Sequence, residues 1–137
     1  MGLKMIYCMH MEISEHYAPF EKKTLIVVTN NDMARLFHVE GRTMDPLSAL
    51  GRKPSEELME PFTIEERQAL YKKLNKRLQK HLAAGYEDIV LCAPEVRREQ
   101  LVDELHPTAL VAVGEVIPKN LAALDEAQIM RILQEGR

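Results

Sequence analysis

The apolar run Ile89-Val90-Leu91-Cys92-Ala93, stopped at Pro94 and followed by a polar, periodic segment from Glu95 to Leu105, decides the fold. His106-Pro107 ends that segment, and a second apolar run from Ala109 to Val113 leads through Gly114-Glu115 to Pro118. A short helical pattern closes the chain. Residues 86–133 therefore read β-α-β-α. Strands that alternate with helical segments imply parallel pairing, because a parallel strand needs a crossover to return.

Working outward, Thr24-Leu25-Ile26-Val27-Val28-Thr29 is a strand with no polar alternation, as expected of one covered on both faces. Asn30-Asn31-Asp32 supplies turn residues, and a second strand from Ala34 to Glu40 folds back antiparallel and ends at Gly41. A weaker third strand is expected near residues 44–50. A polar connection with Pro54 and Pro61 then covers residues 51–62.

The long helix that follows is the clearest single element. Thr63 and Glu66 have capping-box spacing, and Leu70, Leu74, Leu78 and Leu82 recur along one face. Gly85 is placed to end it. The last helix repeats the device, with Asp125 and Gln128 at capping-box spacing and Leu124 and Ile129 at the hydrophobic-staple positions. The order is thus β-β-β-α-β-α-β-α. It predicts an α/β domain with a ribonuclease H-like mixed five-stranded sheet, strand order 3-2-1-4-5, and helices on both faces. A different doubly wound arrangement is the alternative.

At 137 residues the chain reads as one domain over 22–137, preceded by an extension of residues 1–21 that is not expected to be ordered. Hydrophobic and charged fractions of 46% and 28% are those of a soluble globular protein. The net charge of −3 gives no global attraction to nucleic acid or membrane, so such a contact needs a local patch. Two cysteines, Cys8 and Cys92, make no disulfide framework, and the expected compartment is the cytoplasm. No apolar run approaches the roughly 20 residues of a membrane span. The start lacks a signal-peptide cleavage site, and Ile6 excludes a myristoylation motif. Met1, Met5, Met9 and Met11 with Cys8, His10 and His16 offer soft ligands, yet their spacing fits no metal geometry.

Chemistry is hard to find. Nucleases of this shape hold two divalent metals on acids from the first strand, first helix and fourth strand. Here the first strand has no acid before Asp32. Glu65 and Glu66 are explained by capping, while Glu87 and Asp88 lie at the wrong end of the fourth strand. Ser14, Ser48 and Ser55 form no nucleophile elbow, and no Gly-rich phosphate loop follows a strand. His38 and His106 read as structural, and Cys92 becomes a nucleophile only if His or Asp converges on it. The expectation is a non-enzymatic domain with no metal and no cofactor. One charged feature remains: Lys72, Lys73, Lys76, Arg77 and Lys80, with His81, lie away from the leucine stripe. This is either a solvated helix face or a contact surface for RNA phosphates. Tyr71 stands alone, so there is no stacking platform.

Three groups of residues carry a resemblance. Thr24 to Thr29, then Ala34-Arg35-Leu36-Phe37 and Glu40-Gly41, resemble the opening of the bacterial host attachment family, the proteins required for attachment to host cells. Tyr86 to Pro94 is similar to that family's F-D-x-L-V-L-V-A-P. Gly114-Glu115 and Lys119-Asn120-Leu121 are similar to its G-E and K-D-L, with Asn120 in place of the aspartate. The family is similar in turn to the middle domain of archaeal and eukaryotic peptide-release factors. That resemblance implies the ribonuclease H-like topology, a ribosome-associated role, and Arg35, Glu115, Lys119 and Asn120 as motif positions. The release factors' Gly-Gly-Gln loop is absent, so release activity is not expected. Two functions remain: a domain that binds the ribosome or RNA through the basic helix face, and a protein-interaction module in an attachment pathway. A hydrolase is a distant third. No membrane partner is expected, and a homo-oligomer is compatible with either reading.

Overall fold

The computed structural model describes residues 11–12, 20–30, 32–51, 63–122 and 124–135. The Met- and His-bearing residues before Met11, together with His16 and the connection 52–62, lie outside them. Five strands stand in the expected order: β4 (Thr43–Gly51), β3 (Met33–Gly41), β2 (Phe20–Thr29), β5 (Asp88–Cys92) and β6 (Val113–Ile117). A two-residue strand, β1 (Met11–Glu12), adds to the outside of β4, pairing Met11 with Met44 and Glu12 with Thr43.

β2 is the axis of the sheet. It runs antiparallel to β3 and parallel to β5, with Leu25 opposite Ile89 and Val28 opposite Cys92. β6 is parallel to β5. Leu25, Ile26, Val27 and Val28 are all 0% exposed, which explains the unbroken apolar run. Successive strand side chains point to opposite faces, so one run feeds two cores. Leu25 and Val27 meet Leu70, Tyr71, Leu74 and Leu78 on one face. Ile26 and Val28 meet Leu121, Ile129, Met130 and Leu133 on the other.

The turn after β2 is built by Asn30. Its side-chain oxygen accepts from the backbone N–H groups of Asp32 and Met33, each at 3.0 Å, and the Thr29 hydroxyl donates to the Met33 carbonyl at 2.9 Å. Gly51, at φ +77°, ends β4 where any Cβ would collide with the Asp32 carbonyl oxygen.

The helices are α1 (Ile64–Ala83), α2 (Glu95–Glu104), α3 (Pro107–Ala112) and α4 (Glu126–Glu135). Both expected capping boxes form. Thr63 and Glu66 exchange two hydrogen bonds of 3.1 Å, and Asp125 and Gln128 exchange bonds of 3.0 and 2.8 Å. At the end of α1, Gly85 at φ +106° lets its N–H reach the Leu82 carbonyl and that of Tyr86 reach His81. This is a Schellman closure, which satisfies carbonyls the helix leaves unpaired. Leu101, Leu105 and Ala109 join α1 on one face of the sheet, while α4 covers the other.

One element differs from expectation. Residues 109–113 were expected to be the fifth strand, yet Pro107–Ala112 is helical and the strand is Val113–Ile117. A short apolar run does not distinguish strand from buried helix by periodicity. Here Pro107 opens the helix with its φ already set, and the His106 ring caps it by accepting from the Thr108 N–H at 3.1 Å. Asn75 on α1 fastens the corner. Its amide donates to the Glu104 carbonyl and accepts from the His106 N–H, both at 2.8 Å. Ala109 is thereby buried against α1 rather than in the sheet.

Cys92 gives a direct test of the α4-side core. The side chain is 0% exposed, and burial, followed by the charge of Glu115, pushes its thiol up from 9.0 to about 12. A raised folded pKa favours the protonated thiol, so this stability is complete below pH 9 and is lost as pH rises towards 12. In that window the folding free energy should fall by about 1.4 kcal/mol per pH unit more in the parent than in Cys92→Ala. In a Cys8→Ser background, Cys92 should also resist thiol reagents at pH 8 until the protein is unfolded. Rapid labelling of the native protein would contradict its burial.

Candidate nucleic-acid interface

The leucine stripe fixes which way α1 faces. With Leu70, Leu74 and Leu78 buried against the sheet, Lys72, Lys73, Lys76, Arg77 and Lys80 are all exposed. Gln68, Lys72, Lys76 and Lys80 follow one another at four-residue steps, about 6 Å apart along the axis. Lys73 and Arg77 make a neighbouring row. Residues 67–86 hold six of the chain's 18 Lys and Arg and none of its 21 Asp and Glu. An acidic protein therefore carries a strip of one sign. Glu66 is committed to the N-cap, and Lys80 sits in the last turn, where its charge complements the helix dipole.

The C-terminal end of α1 leads into a cluster that the sequence did not reveal. Tyr86 is held edge-on by His38 and His81, with ring centroids 5.4 Å from each. The Lys23 ammonium lies 4.6 Å above the Tyr86 ring and donates to the Ala84 carbonyl at 3.3 Å. His38 Nδ1 and the Tyr86 hydroxyl are hydrogen-bonded at 2.8 Å, and His38 Nε2 is 3.7 Å from Glu40. Burial, then Asp45 and Glu40, raise the Tyr86 pKa, so its phenol stays protonated. The cluster joins β2, β3, α1 and the segment before β5, and it sets Lys23 beside the basic helix. Strand register brings these residues together, and no local motif announces that.

The motif positions are placed separately from this strip. Arg35 points to the α4 face, where it donates to the Ala122 carbonyl at 3.2 Å and to that of Leu124. It thus clamps the segment that continues from Lys119, Asn120 and Leu121 into α4. Its guanidinium stacks 5.2 Å from the Phe37 ring, and two open clefts of about 370 and 300 Å³ meet at it. Burial lowers the Arg35 pKa, while Glu126 and Asp125 oppose that shift. Glu115 lies on β6 opposite Val90, half-buried, and Lys119 and Asn120 are exposed. Arg35 is thus tied to the residues just after the 119–121 segment, while Glu115 is placed on β6. Among the described residues no three His, Cys, Asp or Glu side chains converge as a metal site would require.

No protein-family model and no curated protein matches this sequence. Solved structures do match. S. cerevisiae Dom34, described as a translation termination-like factor involved in RNA quality control pathways and interacting with Hbs1, aligns with a TM-score of 0.51 at 13% identity. That alignment covers 85% of this chain and 37% of Dom34. The fold is release-factor-like. A second Dom34 structure gives a TM-score of 0.50 at 15% identity over 82% of this chain and 36% of that one. An archaeal protein gives 0.52 at 16% over 76% and 32%. The chain spans about a third of the length of each. The likeness agrees with the resemblance to the release-factor middle domain, whereas the host attachment resemblance rests on its motifs alone.

His81 reports the field of the strip. Burial, followed by Lys80, Arg77 and Lys23, lowers its pKa from 6.5. A lowered folded pKa favours the neutral ring, so the associated stability is complete above pH 6.5 and is lost as pH falls through the folded value. An NMR titration should place His81 below 6.5, and Lys80→Ala should move it upward. A value at or above 6.5 in the parent would show that the strip exerts no net field there.

Proposed function

We propose that this domain binds RNA, in a ribosome-associated and cytoplasmic setting, through phosphate contacts of the α1 basic face, and that it catalyses no reaction. The strip of cations free of any acid across residues 67–86 carries the reading. Phosphate contacts supply sequence-independent affinity and need no aromatic platform. The release-factor-like fold supports a translation setting, because Dom34 is described as a termination-like factor. The absence of a Gly-Gly-Gln sequence argues against peptide release. No helix among the described residues is long and apolar enough to cross a membrane.

A second reading, a protein-interaction module in a bacterial attachment pathway, draws on the other end of the molecule. There Arg35, a position of the host attachment motif, lines two open clefts and is tied to Ala122 and Leu124, just beyond the motif positions Lys119 and Asn120. Partner and oligomeric state belong to that reading.

Changing Lys72, Lys76 and Lys80 together to Ala tests the first. Ribosome co-sedimentation and binding to structured RNA should weaken. The slope of log affinity against log salt should fall by about two to three units, since each lost contact removes roughly 0.9 on a duplex and 0.7 on a single strand. Each substitution should leave stability within about 0.5 kcal/mol. A parent protein that binds neither ribosomes nor structured RNA at low salt leaves the interaction-module reading in its place.

A further inference from the structure

The basic strip does not end on a lysine. At four-residue steps its second row runs Lys73, Arg77 and His81, so the last member is an imidazole. Lys and Arg are charged at every physiological pH, whereas histidine changes its charge between about pH 5 and 8. The row therefore has one position whose charge depends on its surroundings.

Those surroundings have one sign. Arg77 and Lys80 flank His81 on α1, and β2 contributes Lys23, whose ammonium lies 4.6 Å above the Tyr86 ring. His81 meets the same ring edge-on, with centroids 5.4 Å apart. On the β3 side Tyr86 is bonded to His38, which faces Glu40, and Asp45 of β4 acts on Tyr86. Glu87, the next residue, is exposed and pairs with Lys23 through its backbone N–H. None of these acids acts on His81, and every charge that does is positive. Burial, then Lys80, Arg77 and Lys23, keep its ring neutral at pH 7. The residue is half-buried, and its ring nitrogens have no hydrogen-bond partner among the described residues.

An anion among these cations reverses the balance. The end of the helix does not repel it strongly. The carbonyls of Lys80, His81 and Leu82 already accept from Ala84, Gly85 and Tyr86, and that of Ala84 accepts from Lys23. The dipole leaves about half a negative charge there, against the three cations Arg77, Lys80 and Lys23. Long helical side chains also lean back towards the N-terminus, so Arg77 and Lys80 present their charge beside the helix. The Lys23 ammonium has three donors, and the Ala84 carbonyl uses one. We infer that one phosphate of a bound RNA sits between Arg77, Lys80 and Lys23, and that His81 takes up a proton from solvent as it arrives. The inference rests on the RNA reading and adds a position and a pH dependence to it. Because the anion favours the charged imidazole, affinity rises as pH falls. By linkage, the RNA raises the pKa of His81.

The probe is an RNA hairpin with a fully paired stem, a uridine loop and hydroxyl ends, none of whose groups titrates near neutral pH. By fluorescence anisotropy at constant low salt, the parent should bind it roughly five- to tenfold more tightly at about pH 5.5 than at about pH 8. A His81 pKa raised by about one on binding supplies that gain. His81→Gln should hold its affinity flat over the same range. Lys23→Gln should weaken binding and lower the salt slope by about 0.9. NMR of the parent reads the coupling without any substitution, since saturating hairpin should move the His81 titration to higher pH. A parent whose affinity does not change with pH overturns the inference and leaves the RNA reading standing. So does a gain that survives in His81→Gln, a His81 titration that the hairpin leaves unmoved, or a slope unchanged in Lys23→Gln. A parent that binds no RNA at any pH overturns both.

Discussion

The burial of β2 on both faces is the constraint from which the rest of the architecture follows. Four consecutive side chains, Leu25 to Val28, are sealed from solvent. Full burial of each contributes about 1.5–3 kcal/mol. Because alternate residues point to opposite faces, neither face can be left bare. α1 must cover Leu25 and Val27, and α4 must cover Ile26 and Val28. The pairing with β3 on one side and β5 on the other then satisfies the backbone of a strand that water cannot reach. Helices on both faces and a mixed sheet are consequences of that single strand.

The same demand shapes the candidate interface. α1 is held down by Leu70, Leu74 and Leu78, so its opposite side is exposed whatever residues occupy it. A helix so anchored presents its outer side chains from a rigid element. Lys72, Lys76 and Lys80 therefore stand at regular intervals, and Gln68 continues their line. The closure at Gly85 and Tyr86 adds Lys23 to the far end through the Tyr86 ring. Further along the same helix, Asn75 fixes the corner between α2 and α3.

Much of this was legible in the residues, for identifiable reasons. Local signals were reliable where a few neighbours decide the outcome, as at the two capping boxes, Asn30 and Gly85. The strand order followed from the chirality of crossovers and the double burial of residues 24–29. The basic strip was visible because helical periodicity alone separates it from the leucines. The fifth strand was displaced because Ala109 to Val113 is apolar in either conformation, and the deciding contacts, Asn75 with Glu104 and His106, join residues about 30 positions apart. The cluster of Lys23, His38, His81 and Tyr86 depends on strand register and a helix end together, and neither is written in a local pattern. The tie from Arg35 to Ala122 and Leu124 spans still more of the chain.

The net charge of −3 initially argues against a polyanionic partner, and the geometry removes that objection. At physiological salt, charges on the surface are screened beyond about 8 Å, while Lys72 to Lys80 spans about 12 Å of helix. A phosphate in contact with the row therefore feels the local strip far more than the distant acids. The potential along α1 is also graded. Glu65 and Glu66 lie in its first turn, and the cations run from Lys72 to Lys80 with Lys23 beyond. A backbone drawn onto the positive end meets neutral and then acidic groups at the other. On such a gradient the phosphates of a bound backbone would settle along Lys72, Lys76 and Lys80, away from the acidic first turn.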